Sequence, residues 1–427
     1  MRRDDLAADL LDRQSADGYV FPAYEDYCFA SVPGTVYDLF GADIGPTLPS
    51  DAVDAALGRG GLDHVVVLLV DGFGYEQWSC HVDDETMGLL PAVEETGTVT
   101  PLTSVFPSET ASAIPTYHTA NYPHEHGVHG WFQHVPELDH VVEALPFTTM
   151  NGPPVPEVYP DFERGDLYVV PDHYDATESE TGVDTHLLVP TAIASENRRA
   201  VGYDGLGEFA DRLGETVEGG GPRSVTFAYL PHVDAASHRS GTRSEEYHET
   251  LVGVDDAVSR GLSKVSDETA EDTAVVVTAD HGHVDTDPNT NVDLRDPWFA
   301  PLWGLFERRD DGTAVPPTGS PRQLHLHLRD KYGDWTTEGV EAAARRIVDR
   351  AFDALVLTRD EAIDRELWGP GDYSETFRER CGDLVVVPKS KGVWYEADHI
   401  GLVGMHGGMT EEEMLVPFGT ARLADLR

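Results

Sequence analysis

The chain predicts an α/β fold built on a mostly parallel sheet. Three observations carry that reading: short runs that are apolar throughout, chemistry-bearing residues placed just after those runs, and amphipathic helical stretches between them. A continuous apolar run of about six residues marks a strand buried on both faces. In open α/β sheets, ligands collect beyond the carboxyl ends of such strands.

Along the chain, Tyr24 to Phe40 reads as a segment packed on the core, with Tyr24, Tyr27 and Phe29 as anchors rather than a binding box. Val65 to Val70 is the first strand, and it ends in Asp71-Gly72. Pro101 to Phe106 leads into the hydroxyl-rich Pro107-Ser108-Glu109-Thr110-Ala111-Ser112-Ala113 and a helix over Ala111 to His118. Phe132 to Gly221 is rich in proline, glycine and acids and reads as a loop-rich flap. Ser224 to Leu230 is a strand leading to Asp234 and His238. Ser244 to Val265 is an amphipathic helix with its apolar stripe on Leu251, Val252, Val254, Ala257, Val258 and Leu262. Ala274 to Val277 is a strand followed by Thr278-Ala279-Asp280-His281-Gly282-His283. The alternating Leu324-His325-Leu326-His327-Leu328 reads as a strand with its histidines on a solvated face, Gly339 to Leu357 as a helix, and Leu384 to Val387 as a strand. His406-Gly407-Gly408 follows near the C-terminus.

Asp71, Asp234 and Asp280 with His238, His281 and His406 make three carboxylates and three imidazoles at the ends of apolar segments, enough for two zinc-like ions. An isolated Asp-Gly is usually a turn, and an isolated Asp after a strand is usually a helix cap. Four such groups together are not explained by turns. The hydroxyls of Ser108, Thr110 and Ser112 precede or open a helix, where free N–H groups and the helix dipole favour attack on an anionic phosphorus. Because these residues come from both ends of the chain, 1–427 reads as one catalytic domain, with 132–221 and 287–385 as candidate insertions or caps.

The order Asp-Gly, hydroxyl loop, Asp-x-x-x-His, Asp-His-Gly, His-Gly resembles the alkaline phosphatase superfamily, and most of all its type I phosphodiesterase/nucleotide pyrophosphatase branch. Tyr122-Pro123-His124-Glu125-His126-Gly127 matches that family's Tyr-Pro-x-x-His-Gly. Counting back without a gap lays Pro107-Ser108-Glu109-Thr110 on the family's Pro-Thr-x-Thr and Thr110 on its nucleophile. The rival register puts Val105 there, which has no nucleophilic atom. The resemblance spans 62–131, 224–286 and 400–418. It implies an alkaline-phosphatase-like three-layer sandwich and a phosphothreonine intermediate. It also implies two divalent ions, zinc first, with manganese or iron as alternatives. One would be held by Asp234, His238 and His406, the other by Asp71, Asp280, His281 and the Thr110 oxygen. The implied substrate is a small phosphoester, a nucleotide among the candidates. Two positions depart from the family: its phosphate-binding Asn falls on Ala113, and a second Asn falls on Trp131. Phe106, Tyr122 and Trp131 are candidate stacking surfaces for a leaving group. The rival readings are a phosphomonoesterase using Arg239 or Arg243, a phosphomutase, and a non-catalytic relic. No cysteine lies in a sulfatase motif, and Cys28, Cys80 and Cys381 read as buried or half-buried thiols.

Thirty basic against 77 acidic side chains give a formal charge of −47, and only Lys264, Lys331, Lys389 and Lys391 are lysines. Self-repulsion on that scale is relieved when molar salt shortens the Debye length to about 3 Å. The expected setting is a halophile's cytoplasm. Binding to a nucleic-acid backbone is excluded by the same charge. No secretory h-region, no membrane-length apolar stretch and no disulfide framework are expected.

Overall fold

The computed structural model describes all residues except 54–56, 58–60, 83, 85, 195, 196 and 396. Its centre is a seven-stranded sheet. In chain order the strands are β1 (His64–Val70), β2 (Thr98–Thr103), β3 (Asp184–Pro190), β4 (Ala200–Tyr203), β5 (Ser224–Leu230), β6 (Thr273–Thr278) and β7 (Leu415–Arg422). Their spatial order is β2-β7-β6-β1-β5-β3-β4. The five strands β6, β1, β5, β3 and β4 pair in parallel, and β7 runs antiparallel between β6 and β2. Every residue of β6 and all but the first of β1 are buried. That is why these strands read as unbroken apolar runs rather than as alternating ones.

Helices cover both faces of the sheet. The helix α1 (Thr110–Thr119) stacks Tyr117 and His118 on Phe227 of β5, with ring centroids 4.5 and 5.1 Å apart. Phe227 is in register with Val67. On the alternate side of the pleat, Leu68 and Val70 share a small void with Leu251, Val254 and Val258 of α2 (Glu245–Leu262). The side chain of Ser244 caps α2, accepting from the Tyr247 N–H, and Glu245 and Glu246 lie in its first turn where the dipole favours acid. The layers are therefore helix, sheet, helix, the three-layer α/β plan expected from the sequence. Tyr24, Tyr27 and Phe29 are buried in the main core, as anchors should be.

A second seven-stranded sheet is antiparallel. It is drawn from 132–149 and 318–388. The Phe132 to Gly221 stretch is thus less loop-like than its composition suggests: it lends three short strands to this sheet and both β3 and β4 to the central one. Two further expectations are corrected here. His325 and His327 are buried, not solvated. Leu324, Leu326 and Leu328 face one core, while His325 packs against His129 and Trp368 on the other side, so both faces of this strand are covered. The helix expected over Gly339 to Leu357 ends at Ala351, and Ala354–Thr358 instead pairs with Leu384–Pro388. Leu355 and Leu357 belong to that strand, where their neighbours across the pair satisfy the backbone that a longer helix would have used. Cys28 and Cys381 are buried, but Cys80 is exposed. Among the described residues no helix is long and apolar enough to cross a membrane.

Candidate functional site

Three adjacent central strands, β6, β1 and β5, end side by side, with Thr278 in register with Leu69 and Val70 in register with Leu230. Asp71 therefore lies between the loop that carries Asp280 and the helix His232–Ser240 that carries Asp234 and His238. The backbone N–H of Asp71 donates to the Leu230 carbonyl, tying the β1 and β5 ends together. Asp280 Oδ1 accepts from the N–H of Gly72 (3.3 Å) and of His281 (3.1 Å), which ties the β1 and β6 ends. The chain then delivers Thr110 from α1, which follows β2, and His406 from the loop before β7.

The six metal-ligand candidates read from the sequence fall into two neighbouring clusters. In the first, His281 Nε2 lies 3.3 Å from Asp71 Oδ1 and 3.5 Å from Asp280 Oδ2. Thr110 Oγ1 is 3.1 Å from His281 Nε2 and 3.3 Å from Asp71 Oδ1. In the second, Asp234 Oδ1 lies 3.2 Å from His238 Nε2 and 3.6 Å from His406 Nε2. His281 and His406 stack at 3.8 Å, so the clusters abut.

The donor chemistry fits divalent ions. Asp280 Oδ2 is buried and has no hydrogen-bond partner in the protein. Burial, with Asp71 adding to it, pushes the Asp280 carboxyl up to about 7. Burial opposes charge on His281, but Asp280 and Asp71 outweigh it and lift the imidazole to about 10. Burial holds the His406 ring well below the ordinary histidine range, with the charge on His281 adding to the effect. The first cluster thus carries more negative charge than its single imidazole can balance, the condition a cation relieves. His238 Nδ1 is pinned to the Gly404 carbonyl at 2.7 Å and His281 Nδ1 to the Gly282 carbonyl at 3.1 Å. Both rings therefore turn Nε2 inward, the orientation that outer partners impose on metal-binding histidines.

Asp71, Thr110, Asp234, His238 and His406 line a cavity of about 670 Å³, with Asp280 and His281 fully buried behind them. Its walls are largely apolar, with Ile114, Trp131, Phe132, Leu145, Ile193 and Phe227 among them. No lysine or arginine lines it among the described residues. Arg239 is exposed and paired with Glu246 at 2.6 Å, and Arg243 points to Glu76 at 3.6 Å, so neither reaches the cavity. Of the three aromatic rings suggested as stacking surfaces, Trp131 alone lines it. Phe106 packs on Trp368 and Tyr122 on Tyr24 instead.

Four residues of the site were not singled out from the sequence. Tyr229 donates its hydroxyl to Asp71 Oδ2, but it is hidden inside an apolar run. Glu109 is fully buried against the cavity with neither oxygen hydrogen-bonded, and burial pushes it up to about 7. Glu413 receives Arg322 in a fully buried two-pronged pair and also accepts from the Gly408 N–H at 3.0 Å. Its own carbonyl accepts from the Gly282 N–H, so one residue holds the loops that carry His281 and His406. The fourth is His283, inside the most informative motif of the chain.

A parallel sheet with carboxylates and imidazoles gathered at its carboxyl edge, next to a helix-borne threonine, is the plan of the alkaline phosphatase superfamily. The profile of the "Type I phosphodiesterase / nucleotide pyrophosphatase" family matches residues 65–409, and the chain belongs to that family. Among solved structures, murine ectonucleotide pyrophosphatase/phosphodiesterase 5, in an inactive form in complex with AMP, superposes with a TM-score of 0.59 at 13% identity, over 84% of this chain and 88% of that one. Phosphonoacetate hydrolase from Sinorhizobium meliloti 1021, in complex with phosphonoacetate, gives 0.57 at 18% identity over 87% and 96%. These likenesses concern the fold. A protein of Zymomonas mobilis, "Alkaline phosphatase PhoD", is 25% identical over 233 residues, which span 47% of this chain and 38% of that protein's length.

Proposed function

We propose that the chain hydrolyses phosphodiester or nucleotide pyrophosphate bonds through a phosphothreonine on Thr110. The observation that carries this is the place of Thr110 Oγ1, 3.1 Å from His281 Nε2 and 3.3 Å from Asp71 Oδ1, on the floor of an apolar cavity. Two divalent ions, zinc foremost and manganese or iron as alternatives for mixed Asp/His donors, would be held by Asp71, Asp280, His281 and Thr110 and by Asp234, His238 and His406. They would supply the Lewis acidity that activates a hydroxyl and stabilises a departing oxygen. The chain's own residues do the rest. Thr110 Oγ1 attacks phosphorus in line, the alcohol or phosphate leaves, and water then cleaves the phosphothreonine. Glu109, the N-cap of α1, makes no side-chain cap bond, and its carbonyl takes the Ser112 and Ala113 N–H groups, so the N–H groups of Thr110 and Ala111 would serve a non-bridging oxygen where Ala113 replaces the family's Asn.

The cavity lining supports the diester reading over the monoester one. A monoester dianion is usually clamped by a basic side chain, and both arginines that could serve are turned away. A diester carries one charge, and its second group finds Trp131, Phe132 and the aliphatic wall. Catalytic efficiency on bis-p-nitrophenyl phosphate, p-nitrophenyl phosphate and a dinucleotide checks this. We expect the diester to lead the monoester by at least about tenfold, or about 1.4 kcal/mol of transition-state stabilisation. A monoester preference sinks the diesterase reading.

From the charge of −47 we also infer a working place in a salt-rich cytoplasm. Thermal melts should rise steadily from low salt into molar KCl as self-repulsion is screened. A midpoint that stays level or falls with KCl contradicts the halophile reading.

A further inference from the structure

We infer that His283 is a fourth protein ligand of the ion assigned above to Asp234, His238 and His406, so that this ion is enclosed by four side chains. The inference rests on the two-ion reading and goes beyond it.

His283 Nδ1 faces the Gly72 carbonyl at 3.0 Å, and its Nε2 faces Asp234 Oδ1 at 3.0 Å. A carbonyl only accepts, so Nδ1 carries the hydrogen and the neutral ring presents a lone pair at Nε2. That lone pair points at a carboxylate oxygen, which is also an acceptor. His238 repeats the arrangement on the same oxygen, with Nδ1 on a carbonyl and Nε2 at 3.2 Å. His406 Nε2 approaches it at 3.6 Å. Three imidazole edges thus converge on one carboxylate oxygen, with their rings 5.1 to 5.4 Å apart in a near-equilateral triangle. A dication among these lone pairs satisfies all of them. Tetrahedral zinc with bonds of about 2.0–2.1 Å places its donors about 3.3 Å apart. The edges to Asp234 Oδ1, 3.0, 3.2 and 3.6 Å, bracket that value.

The surrounding loops are shaped to receive the His283 ring. Gly72 has φ +72°, and a Cβ there would lie 2.2 Å from His283 Cε1. Gly282 has no room for a side chain either, since its Cβ would fall 2.1 Å from the Glu412 carbonyl oxygen. Packed so closely, this single residue lets His281 turn to Asp71 and Asp280 while His283 turns to Asp234. The His283 side chain is fully buried.

With four protein ligands, the Asp234 ion meets a substrate oxygen only by expanding to five-coordination. The first cluster has three fixed protein ligands, and its fourth donor is the reacting Thr110 hydroxyl. The Asp234 site should therefore hold its ion more tightly, and the first cluster should release its ion first.

The test uses the full chain in molar KCl, loaded with Co²⁺, with each equivalent titrated out by a competing chelator while the visible spectrum is followed. The wild type should hold two Co²⁺ of unequal affinity. His283→Ala and His283→Gln should both weaken the tighter equivalent by more than about 100-fold, beyond the 10–100-fold that loss of an outer partner brings. Both should also change the ligand-field bands of that equivalent. Glutamine can still donate a hydrogen bond to Asp234. A role limited to positioning Asp234 therefore predicts that His283→Gln keeps the wild-type spectrum and affinity, and that result overturns the inference while leaving the two-ion reading intact. A wild-type chain that binds fewer than two Co²⁺ overturns both. Circular dichroism on each ion-free variant shows whether it folds. If the alanine form does not, the glutamine form decides alone.

Discussion

Thr110→Ala is expected to lose turnover by on the order of 10⁴-fold or more in kcat while keeping its fold, because a covalent nucleophile has no substitute in a group that acts as a unit. The loss should fall on kcat. Among the described residues the Thr110 hydroxyl hydrogen-bonds Asp71 and His281 alone, and the side chain is otherwise a small group at the first turn of α1, whose N-cap is Glu109. Alanine is tolerated there, so the melting temperature should hold to within the equivalent of about 1 kcal/mol. The neighbouring hydroxyls are committed elsewhere: Ser108 donates to the Gly408 carbonyl at 2.7 Å and Ser112 to the Val128 carbonyl at 3.2 Å. Neither is free to take over. Steady-state kinetics with an intact-mass measurement after rapid mixing checks both halves. Near-normal turnover in Thr110→Ala, or a phosphoryl group found on Ser108 or Ser112, moves the nucleophile and defeats the reading.

What the sequence made legible follows from where its chemistry lies. β1, β5 and β6 are buried on both faces, so their boundaries appear as apolar runs, and the residues after those runs are the ones that meet. The second sheet was not legible as a sheet. Its strands are two to five residues long, and its register joins Phe132 to Gly319 across almost two hundred residues, a pairing no local pattern encodes. The alternation at 324–328 shows the period of the strand but not its environment, because period 2 reports two faces and not which of them meets solvent. His283 escaped for a related reason. It lies two residues beyond His281 in a loop, where no periodicity says which way a ring turns, and the turn to Asp234 appears only in the folded contact of its Nε2 with Asp234 Oδ1. Glu413 and Arg322 are 91 residues apart, and their pairing depends on both loops being in place.

Removal of divalent ions is expected to abolish activity, with zinc or manganese restoring it, and the ion-free protein should carry a specific defect at Asp280. That carboxyl is fully buried, and burial together with Asp71 raises it to about 7. A carboxyl whose folded value is raised above its unfolded value favours the folded state below the unfolded value and loses that advantage as pH rises through the folded one. In ion-free protein, the Asp280 penalty should therefore grow between about pH 4 and pH 7 and then level off, reaching a few kcal/mol. Asp280→Asn keeps an oxygen for the Gly72 and His281 N–H groups and removes the charge. Chelated Asp280→Asn should melt above chelated wild type at pH 8, with the difference vanishing near pH 4. Adding zinc should raise the wild-type midpoint clearly more than the variant's, because the variant keeps the Asp234 site but has lost one of three fixed donors of the first cluster. Full activity in the chelated wild type refutes the two-ion reading. A variant that gains as much from zinc as the wild type removes Asp280 from the ion site. If both hold as expected, the buried negative charge at the end of β1 and β6 is tolerated in the folded protein because an ion neutralises it.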